Sequence, residues 1–141
     1  MYKKILVPLE NSKTDQVALK HIKPLAKLTQ ASFVFVHVAE GYGAQLQEQL
    51  NLQDSEEIIE DRRYLEKVKL EFVDEGFKVK THLVNGDPTK AILNIAEKER
   101  CDLIAMSTHG HRFFKDLILG SVAEGLRHQT SIPVLMIRAS H

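Results

Sequence analysis

The residues with the clearest chemical potential lie between Ser107 and Ser121. This stretch reads Ser-Thr-His-Gly-His-Arg-Phe-Phe-Lys-Asp-Leu-Ile-Leu-Gly-Ser and follows an apolar, strand-like run at residues 102–106. Its two glycines, Gly110 and Gly120, allow the backbone a positive φ or a close approach to a ligand. Backbone N–H groups in such a loop, together with the N-terminus of a following helix, can hold a phosphate. The spacing therefore predicts an anion site.

The same segment also has a purely structural interpretation. Ser121 followed by Glu124 is a Ser-x-x-Glu capping box, which predicts a helix over residues 121–129. Loose glycine spacings recur by chance, so an ordinary strand-loop-helix connection explains them equally well. His109, His111, Arg112 and Lys115 give the loop a positive character that suits phosphate oxygens or a solvated surface. The loop residues alone leave both interpretations open.

Composition limits the classes of protein that the chain can represent. Its 141 residues fit one domain, residues 1–141, and 19 Lys and Arg balance 19 Asp and Glu. A chain with this charge balance has no net electrostatic attraction to nucleic acid. A single cysteine, Cys101, excludes an internal disulfide framework. No apolar run has the length of a signal peptide core or a membrane span, so we expect a cytoplasmic protein without membrane insertion.

Motifs for metal binding and for common hydrolases are missing from the sequence. Seven histidines are present, but His109 and His111 stand only two apart and have no Cys or carboxylate at a usual ligand spacing. The sequence contains neither the Gly-x4-Gly-Lys-Ser/Thr phosphate loop nor a Gly-x-Ser-x-Gly nucleophile elbow. We therefore expect no native metal site and no dedicated catalytic residue.

Short strand-like runs alternate with helical runs along the whole chain. Strands are predicted at residues 5–9, 32–38, 77–84, 102–106 and 132–138. Ser12 with Asp15 is a capping pattern for the first helix, a long helix runs from about residue 55 to 75, and Gly76 ends it. Gly86-Asp87-Pro88 predicts a turn, an N-cap and a proline in the first helical position.

This alternation is typical of an α/β fold with one doubly wound, five-stranded parallel sheet and helices on both faces. In the strand order 3-2-1-4-5, the order reverses between strands 1 and 4. Ligands of such sheets bind beyond the carboxyl ends of the strands at that reversal. The loops after strands 1 and 4, residues 8–12 and 107–121, are therefore the expected walls of a ligand crevice.

Several motifs in order resemble the universal stress protein family. They are Ile-Leu-Val-Pro-Leu-Glu-Asn-Ser near the start, Val-His-Val in strand 2, Gly-Asp-Pro before strand 4, the glycine loop, and Ile-Pro-Val-Leu-Met-Ile-Arg at the end. Only the stretch around residues 41–54 carries no such signal. The resemblance implies an adenine-nucleotide α-hydrolase-like fold and a homodimer paired through the last strand, which begins at Ile132 and ends at Arg138.

The ATP-binding branch of that family carries Gly-x2-Gly-x9-Gly-Ser/Thr, which holds the nucleotide phosphates. Gly110, Gly120 and Ser121 match this motif, whereas Ser107 stands in place of its first glycine. A serine there costs about 1–2 kcal/mol if the site requires a left-handed backbone. Glu10 replaces the family's usual aspartate near the ribose or adenine. The resemblance places further residues around the base, namely Pro8, Leu9, Val38, Met106, His109 and Val122.

The resemblance thus implies a nucleotide-dependent stress or signalling module that binds ATP, or ADP or AMP, with Mg²⁺ held mainly by phosphate oxygens. An unidentified protein partner would respond to whether the nucleotide is bound. Two alternatives remain: a protein of the same fold that binds no ATP and works only through protein contacts, favoured by Ser107 and Glu10, or a slow ATP hydrolase assisted by His109 or Glu10.

Overall fold

Strands and helices alternate throughout the described part of the chain. The computed structural model describes residues 1–39, 56–108 and 114–139, and between 114 and 121 it describes the backbone alone. The elements are β1 Lys4–Pro8, α1 Asp15–Thr29, β2 Ser32–Ala39, α2 Glu56–Asp74, β3 Val79–Asn85, α3 Pro88–Lys98, β4 Leu103–Thr108, α4 Phe114–Gln129 and β5 Val134–Arg138. These bounds lie within a few residues of the predicted ones, except for α4.

All five strands are parallel and follow the order β3-β2-β1-β4-β5. The predicted α/β fold and strand order are confirmed. β1 lies at the centre, where Leu6 pairs with Val34 of β2 on one side and with Ile104 of β4 on the other. The strand order reverses between β1 and β4, so the loops that follow these two strands leave the sheet at the same edge.

Both faces of the sheet are buried, as is typical of parallel sheets. Alternate residues of β1 and β2, such as Val7 and Phe35, pack under α1 and α2. Their neighbours, such as Leu6 and Val36, pack under α3 and α4. Phe72 of α2 meets the rings of two β2 phenylalanines edge-on, with centroids 5.1 Å apart in each pair. These contacts fix α2 against the sheet.

The predicted turn chemistry is confirmed at two helix ends. Gly76 follows α2 with φ +98°, a left-handed conformation that glycine adopts without a steric penalty. Asp87 is the N-cap of α3, and its carboxylate accepts the N–H of Lys90 at 3.0 Å. Pro88 occupies the first turn of this helix, where its missing N–H costs no hydrogen bond.

The predicted start of the last helix is wrong. α4 begins at Phe114, so Ser121 and Gly120 lie inside the helix and the capping box from Ser121 to Glu124 does not form its N-terminus. An interior glycine costs about 1 kcal/mol relative to alanine. The buried contacts of Val122 and Leu126 with the sheet stabilise the helix and outweigh that cost. A Ser-x-x-Glu pattern is a local signal, and it does not prevent a helix that packs through Val122 and Leu126 from starting further upstream.

Candidate functional site

The carboxyl ends of β1, β2 and β4 bring several predicted site residues to one edge of the sheet. Pro8 is the last residue of β1, and Val38 lies one residue before the end of β2. The pairing of β1 with β4 extends to Leu6 and Ile104, and Pro8 and Met106 each lie two residues further along their strands. Ser107 follows in β4 and pairs with Ile137 of β5. The carboxyl ends of these strands therefore carry residues from both predicted walls of the crevice.

The side chains of these residues divide between the two faces of the sheet. Met106 and Val122 are buried in the core under α3 and α4, and Val38 packs against that core. Leu9 is buried in the other core, under α1 and α2. The structure therefore brings Val38, Met106 and Val122 together but places the Leu9 side chain on the opposite face.

The remaining predicted phosphate contacts are described only in part. His109 and Gly110 lie outside the described residues. Gly120 and Ser121 are described by their place in α4 alone. Ser107 is buried and lies in β4, and it is not among the residues with a positive φ. The serine therefore occupies the first glycine position without the left-handed strain that would make it costly.

The loop after β1, residues 9–14, is fixed by a buried acid that the sequence analysis treated only as a capping residue. Asp15 is 1% exposed. Its carboxylate accepts the N–H groups of Glu10, Asn11 and Ser12 at 3.0, 2.9 and 3.2 Å. It also accepts the Tyr64 hydroxyl of α2 at 2.6 Å. One side chain therefore sets the path of the whole β1–α1 loop.

Burial raises the pKa of both Asp15 and its partner Tyr64. Desolvation raises the pKa of the Asp15 carboxyl, although the hydrogen bonds from Tyr64, Glu10 and Ser12 act to lower it. Desolvation, followed by the negative charge of Asp15, raises the pKa of the Tyr64 phenol. Tyr64 therefore remains a hydrogen-bond donor to Asp15 under all physiological conditions.

Glu10 presents an oriented carboxylate at the same edge. Its Oε1 accepts the Ser12 hydroxyl at 2.6 Å and the Thr14 hydroxyl at 2.7 Å, and the two hydroxyl oxygens lie 2.8 Å apart. Ser12 therefore does not cap α1 with its side chain, and α1 begins at Asp15 after Thr14 without a side-chain cap. Carboxylate oxygens accept several hydrogen bonds, which suits recognition of ribose hydroxyls or an amino group.

A second set of contacts joins the loop to β2 and α2. The His37 Nδ1 atom lies 2.7 Å from the Leu9 carbonyl oxygen, and its Nε2 atom lies 3.0 Å from Asp61 Oδ2. The other oxygen of Asp61 accepts the Asn11 side-chain amide at 3.0 Å. Asn11 itself has φ +63°, a conformation that asparagine tolerates better than most residues. The backbone on both sides of Glu10 is thereby held.

The described ranges contain neither a candidate metal centre nor a candidate membrane-spanning helix. Among residues 1–39, 56–108 and 122–139, no three His, Cys, Asp or Glu side chains lie together in a way that could hold a metal ion. No helix in the described part of the chain is long and apolar enough to cross a membrane.

Comparison with known proteins places this geometry in a family. A family model described as the universal stress protein family matches residues 1–138. Among curated proteins, universal stress protein MJ0577 of Methanocaldococcus jannaschii is 34% identical, over 98% of this chain and 96% of that protein.

Solved structures show the same fold. The structure of MJ0577 superposes with a TM-score of 0.83 at 36% identity and covers 100% of this chain and 99% of that one. Two further universal stress proteins superpose with TM-scores of 0.70. One, from Archaeoglobus fulgidus, was solved in complex with dAMP and is 22% identical, covering 96% of this chain and 98% of that one. The other was solved in complex with cAMP and is 17% identical, covering 99% and 98%.

Proposed function

This chain belongs to the universal stress protein family, and on that premise we propose that it binds an adenine nucleotide in the crevice between β1 and β4. ATP is the nucleotide that the glycine motif suits best. The protein would act as a homodimeric, nucleotide-dependent stress or signalling module in the cytoplasm. An unidentified protein partner would respond to the bound state.

One observation carries this proposal: the β1–α1 loop is built rigidly at the reversal of strand order. Asp15 fixes the N–H groups of residues 10, 11 and 12, and Glu10 keeps its carboxylate oriented by two hydroxyls. A preorganised polar loop beside apolar residues suits a ligand with a flat base and a polar sugar. Two proteins of the same fold were solved with dAMP and with cAMP, which supports an adenine ligand.

The proposed roles of individual residues follow the family motif. The backbone of Val38 would recognise the adenine, with Pro8 and Met106 around the base, whereas the Leu9 side chain is buried under α1 and α2 on the opposite face. Glu10 would accept hydrogen bonds from the ribose. Gly110, Gly120 and Ser121 would hold the phosphates beside Ser107, and His109 and Val122 would complete the lining. Magnesium would enter with the nucleotide on phosphate oxygens.

Pairing through β5 is the proposed mode of dimerisation. β5 forms one edge of the sheet that the structure describes, so its outer backbone groups have no neighbouring strand within that sheet. Met136 is 44% exposed on this strand. Pro133 precedes the strand and limits how far a ladder with a second copy can extend.

Two specific observations bear on the alternatives. Glu10 is one methylene longer than the family's aspartate, which favours a protein of this fold that works without ATP. The strand conformation of Ser107 favours binding instead, since the serine imposes no backbone strain. Slow hydrolysis would need a group that positions water at the terminal phosphate, for which His109 and Glu10 are the candidates.

The proposal is tested by calorimetric titration of the purified protein with ATP and Mg²⁺. We expect saturable binding by the unmodified protein and by Glu124→Gln, a control on the exposed face of α4. We expect Gly120→Val to lose binding, with circular dichroism used to confirm that this variant is folded. Absence of binding by the unmodified protein would favour the alternative that works through protein contacts alone.

A further inference from the structure

Tyr64 of α2 connects this helix to the loop that carries Glu10. Its hydroxyl donates to Asp15 Oδ2 at 2.6 Å, and its ring packs against the core under α1 and α2. Asp15 stands 49 positions earlier in the chain, directly after the β1–α1 loop. The hydrogen bond therefore joins a helix that supplies no residue to the predicted crevice walls to one of those walls.

The Asp15 carboxylate needs its hydrogen-bond donors because it is buried. It is 1% exposed, and burial of a carboxylate is unfavourable unless its oxygens accept hydrogen bonds. Its Oδ1 accepts from the Glu10 amide, whereas Oδ2 accepts from the Asn11 and Ser12 amides and from the Tyr64 hydroxyl. Of these four donors, the hydroxyl alone comes from outside the loop. It gives the carboxylate an anchor on a separate helix.

The backbone N–H groups at the start of this loop are all used within the protein. Those of residues 10–12 donate to Asp15, and that of Leu9 donates to the Val36 carbonyl at 2.8 Å. The path of the loop is therefore set by internal hydrogen bonds before any ligand arrives. A loop that is ordered in advance increases affinity, because binding does not have to supply the cost of ordering it.

α2 contacts the same loop at a second point, three residues before Tyr64. Asp61 Oδ1 accepts the side-chain amide of Asn11 at 3.0 Å. Residues three apart are neighbours on a helix surface, so Asp61 and Tyr64 meet the loop from one side of α2. Both contacts hold residues that lie close to Glu10 in the chain.

We propose that Tyr64 is a positioning residue for the nucleotide site, which acts through Asp15 to keep the β1–α1 loop and Glu10 in place. The inference rests on the proposed function, in which Glu10 accepts hydrogen bonds from the ribose. Tyr64 acts without touching the nucleotide. Because apparent affinity falls with the fraction of protein in the binding-competent state, a loop that is held less firmly binds more weakly.

Titration of Tyr64→Phe with ATP and Mg²⁺ measures this effect. The variant keeps the packed ring and loses the donor, so affinity should fall by about tenfold, the size expected for one hydrogen bond to a charged group. Phe33→Leu is the control for lost stability, because Phe33 is buried near the amino end of β2, at the opposite end of the sheet. It should bind ATP like the unmodified protein. Equal affinities of Tyr64→Phe and the unmodified protein would overturn the inference.

A double-mutant cycle tests whether Tyr64 acts through Asp15. Asp15→Ala removes the acceptor of all four donors and should weaken ATP binding more than Tyr64→Phe does. With this acceptor gone, the addition of Tyr64→Phe should change the affinity no further. Additive losses would show that Tyr64 acts by a different route and would reject the assigned role.

Hydrogen exchange in the nucleotide-free protein separates this inference from the proposed function. The rates of the residue 10–12 amides are divided by that of a core amide, Ile104, whose N–H donates to the Pro133 carbonyl. This ratio should rise about tenfold in Tyr64→Phe and stay unchanged in Phe33→Leu. An unchanged ratio in Tyr64→Phe would overturn the inference even if ATP binds. A raised ratio without any ATP binding would support the bracing of the loop by Tyr64 and overturn the proposed function.

Discussion

Asp15 shows most clearly how a single side chain determines the candidate site. Its carboxylate accepts three backbone N–H groups of the β1–α1 loop and the hydroxyl of Tyr64, a residue 49 positions away in the chain. The sequence indicated a capping role because Asp15 stands three residues after Ser12. It could not indicate the contact with Tyr64, since helical periodicity gives the face of a helix but not the partner that a side chain meets across helices.

Removal of the Tyr64 hydroxyl should destabilise the fold. Tyr64→Phe leaves the buried Asp15 carboxylate without one of its four donors, so we expect the free energy of unfolding to fall by about 1–3 kcal/mol. Tyr2→Phe is the matched control, because the Tyr2 hydroxyl makes no hydrogen bond to any residue that the structure describes. Urea unfolding measures both variants. Equal stability of Tyr64→Phe and Tyr2→Phe would contradict the role assigned to this contact.

At the scale of elements, the packing of α3 against α4 depends on a glycine. A Cβ atom at Gly125 would lie 2.8 Å from the Thr89 Oγ1 atom and 2.9 Å from its Cγ2 atom, closer than van der Waals contact allows. Gly125→Ala should therefore destabilise the protein by about 1–3 kcal/mol despite the better helix propensity of alanine.

Thr89, the other residue of this contact, provides the control for the glycine prediction. Thr89→Ala removes both clashing atoms, so in that background Gly125→Ala should become neutral or stabilising by up to about 1 kcal/mol. Thermal and urea unfolding of the four proteins measure the coupling between the two positions. Additive effects of the two changes would show that Gly125 does not limit the approach of these helices.

Another contact between elements makes stability depend on pH. Glu99, directly after α3, accepts from His82 Nε2 at 2.8 Å and from Lys80 Nζ at 3.3 Å, both on β3. These hydrogen bonds, that of His82 first, lower the pKa of Glu99. Because the folded state has the lower pKa, the contact stabilises the fold above the ordinary glutamate range. This stabilisation is lost as the pH falls below about 4.3.

Glu99→Gln should therefore lower stability at about pH 6 and have a much smaller effect at about pH 3. Glu97→Gln, a change of the same kind on an exposed residue of α3, should have little effect at either pH. Midpoints of urea unfolding at the two pH values provide the measurement. A Glu99→Gln penalty that grows as the pH falls would have the wrong sign and would reject the assignment.

The elements themselves were largely predictable from the sequence because each prediction rested on local chemistry. Continuous apolar runs such as 32–38 marked buried strands, and Gly76, Asp87 and Pro88 marked helix ends that the structure confirms. The start of α4 was not predictable in this way. Its capping signal at Ser121 was local, and the sequence carried no comparable signal at Phe114, where the helix begins.

At the scale of the whole molecule, the alternation of elements predicted a doubly wound parallel sheet, and the strand order 3-2-1-4-5 assumed for it is confirmed. The proposed assembly of two copies is not determined by the core of one chain. Met136→Asp places a charge on the exposed side of β5, and we expect it to convert a dimer at micromolar concentration into a monomer. Leu28→Asp, on α1 at 84% exposure, should leave the dimer intact.

Sedimentation velocity distinguishes these states for the three proteins. The unmodified protein should sediment at twice the 16.0 kDa mass of the chain. Dissociation by Leu28→Asp but not by Met136→Asp would place the interface on α1 and not on β5. A monomer of the unmodified protein at the same concentration would contradict the proposed dimer altogether.

The central claim is that the crevice between β1 and β4 binds an adenine nucleotide. Native mass spectrometry of the protein, purified without denaturation, tests this claim most directly. We predict a complex that carries one adenine nucleotide per 16.0 kDa chain, either as isolated or after addition of ATP and Mg²⁺. Collisional release would then identify the nucleotide and its number of phosphates. A folded protein that shows no adduct in excess ATP, ADP or AMP would contradict the claim.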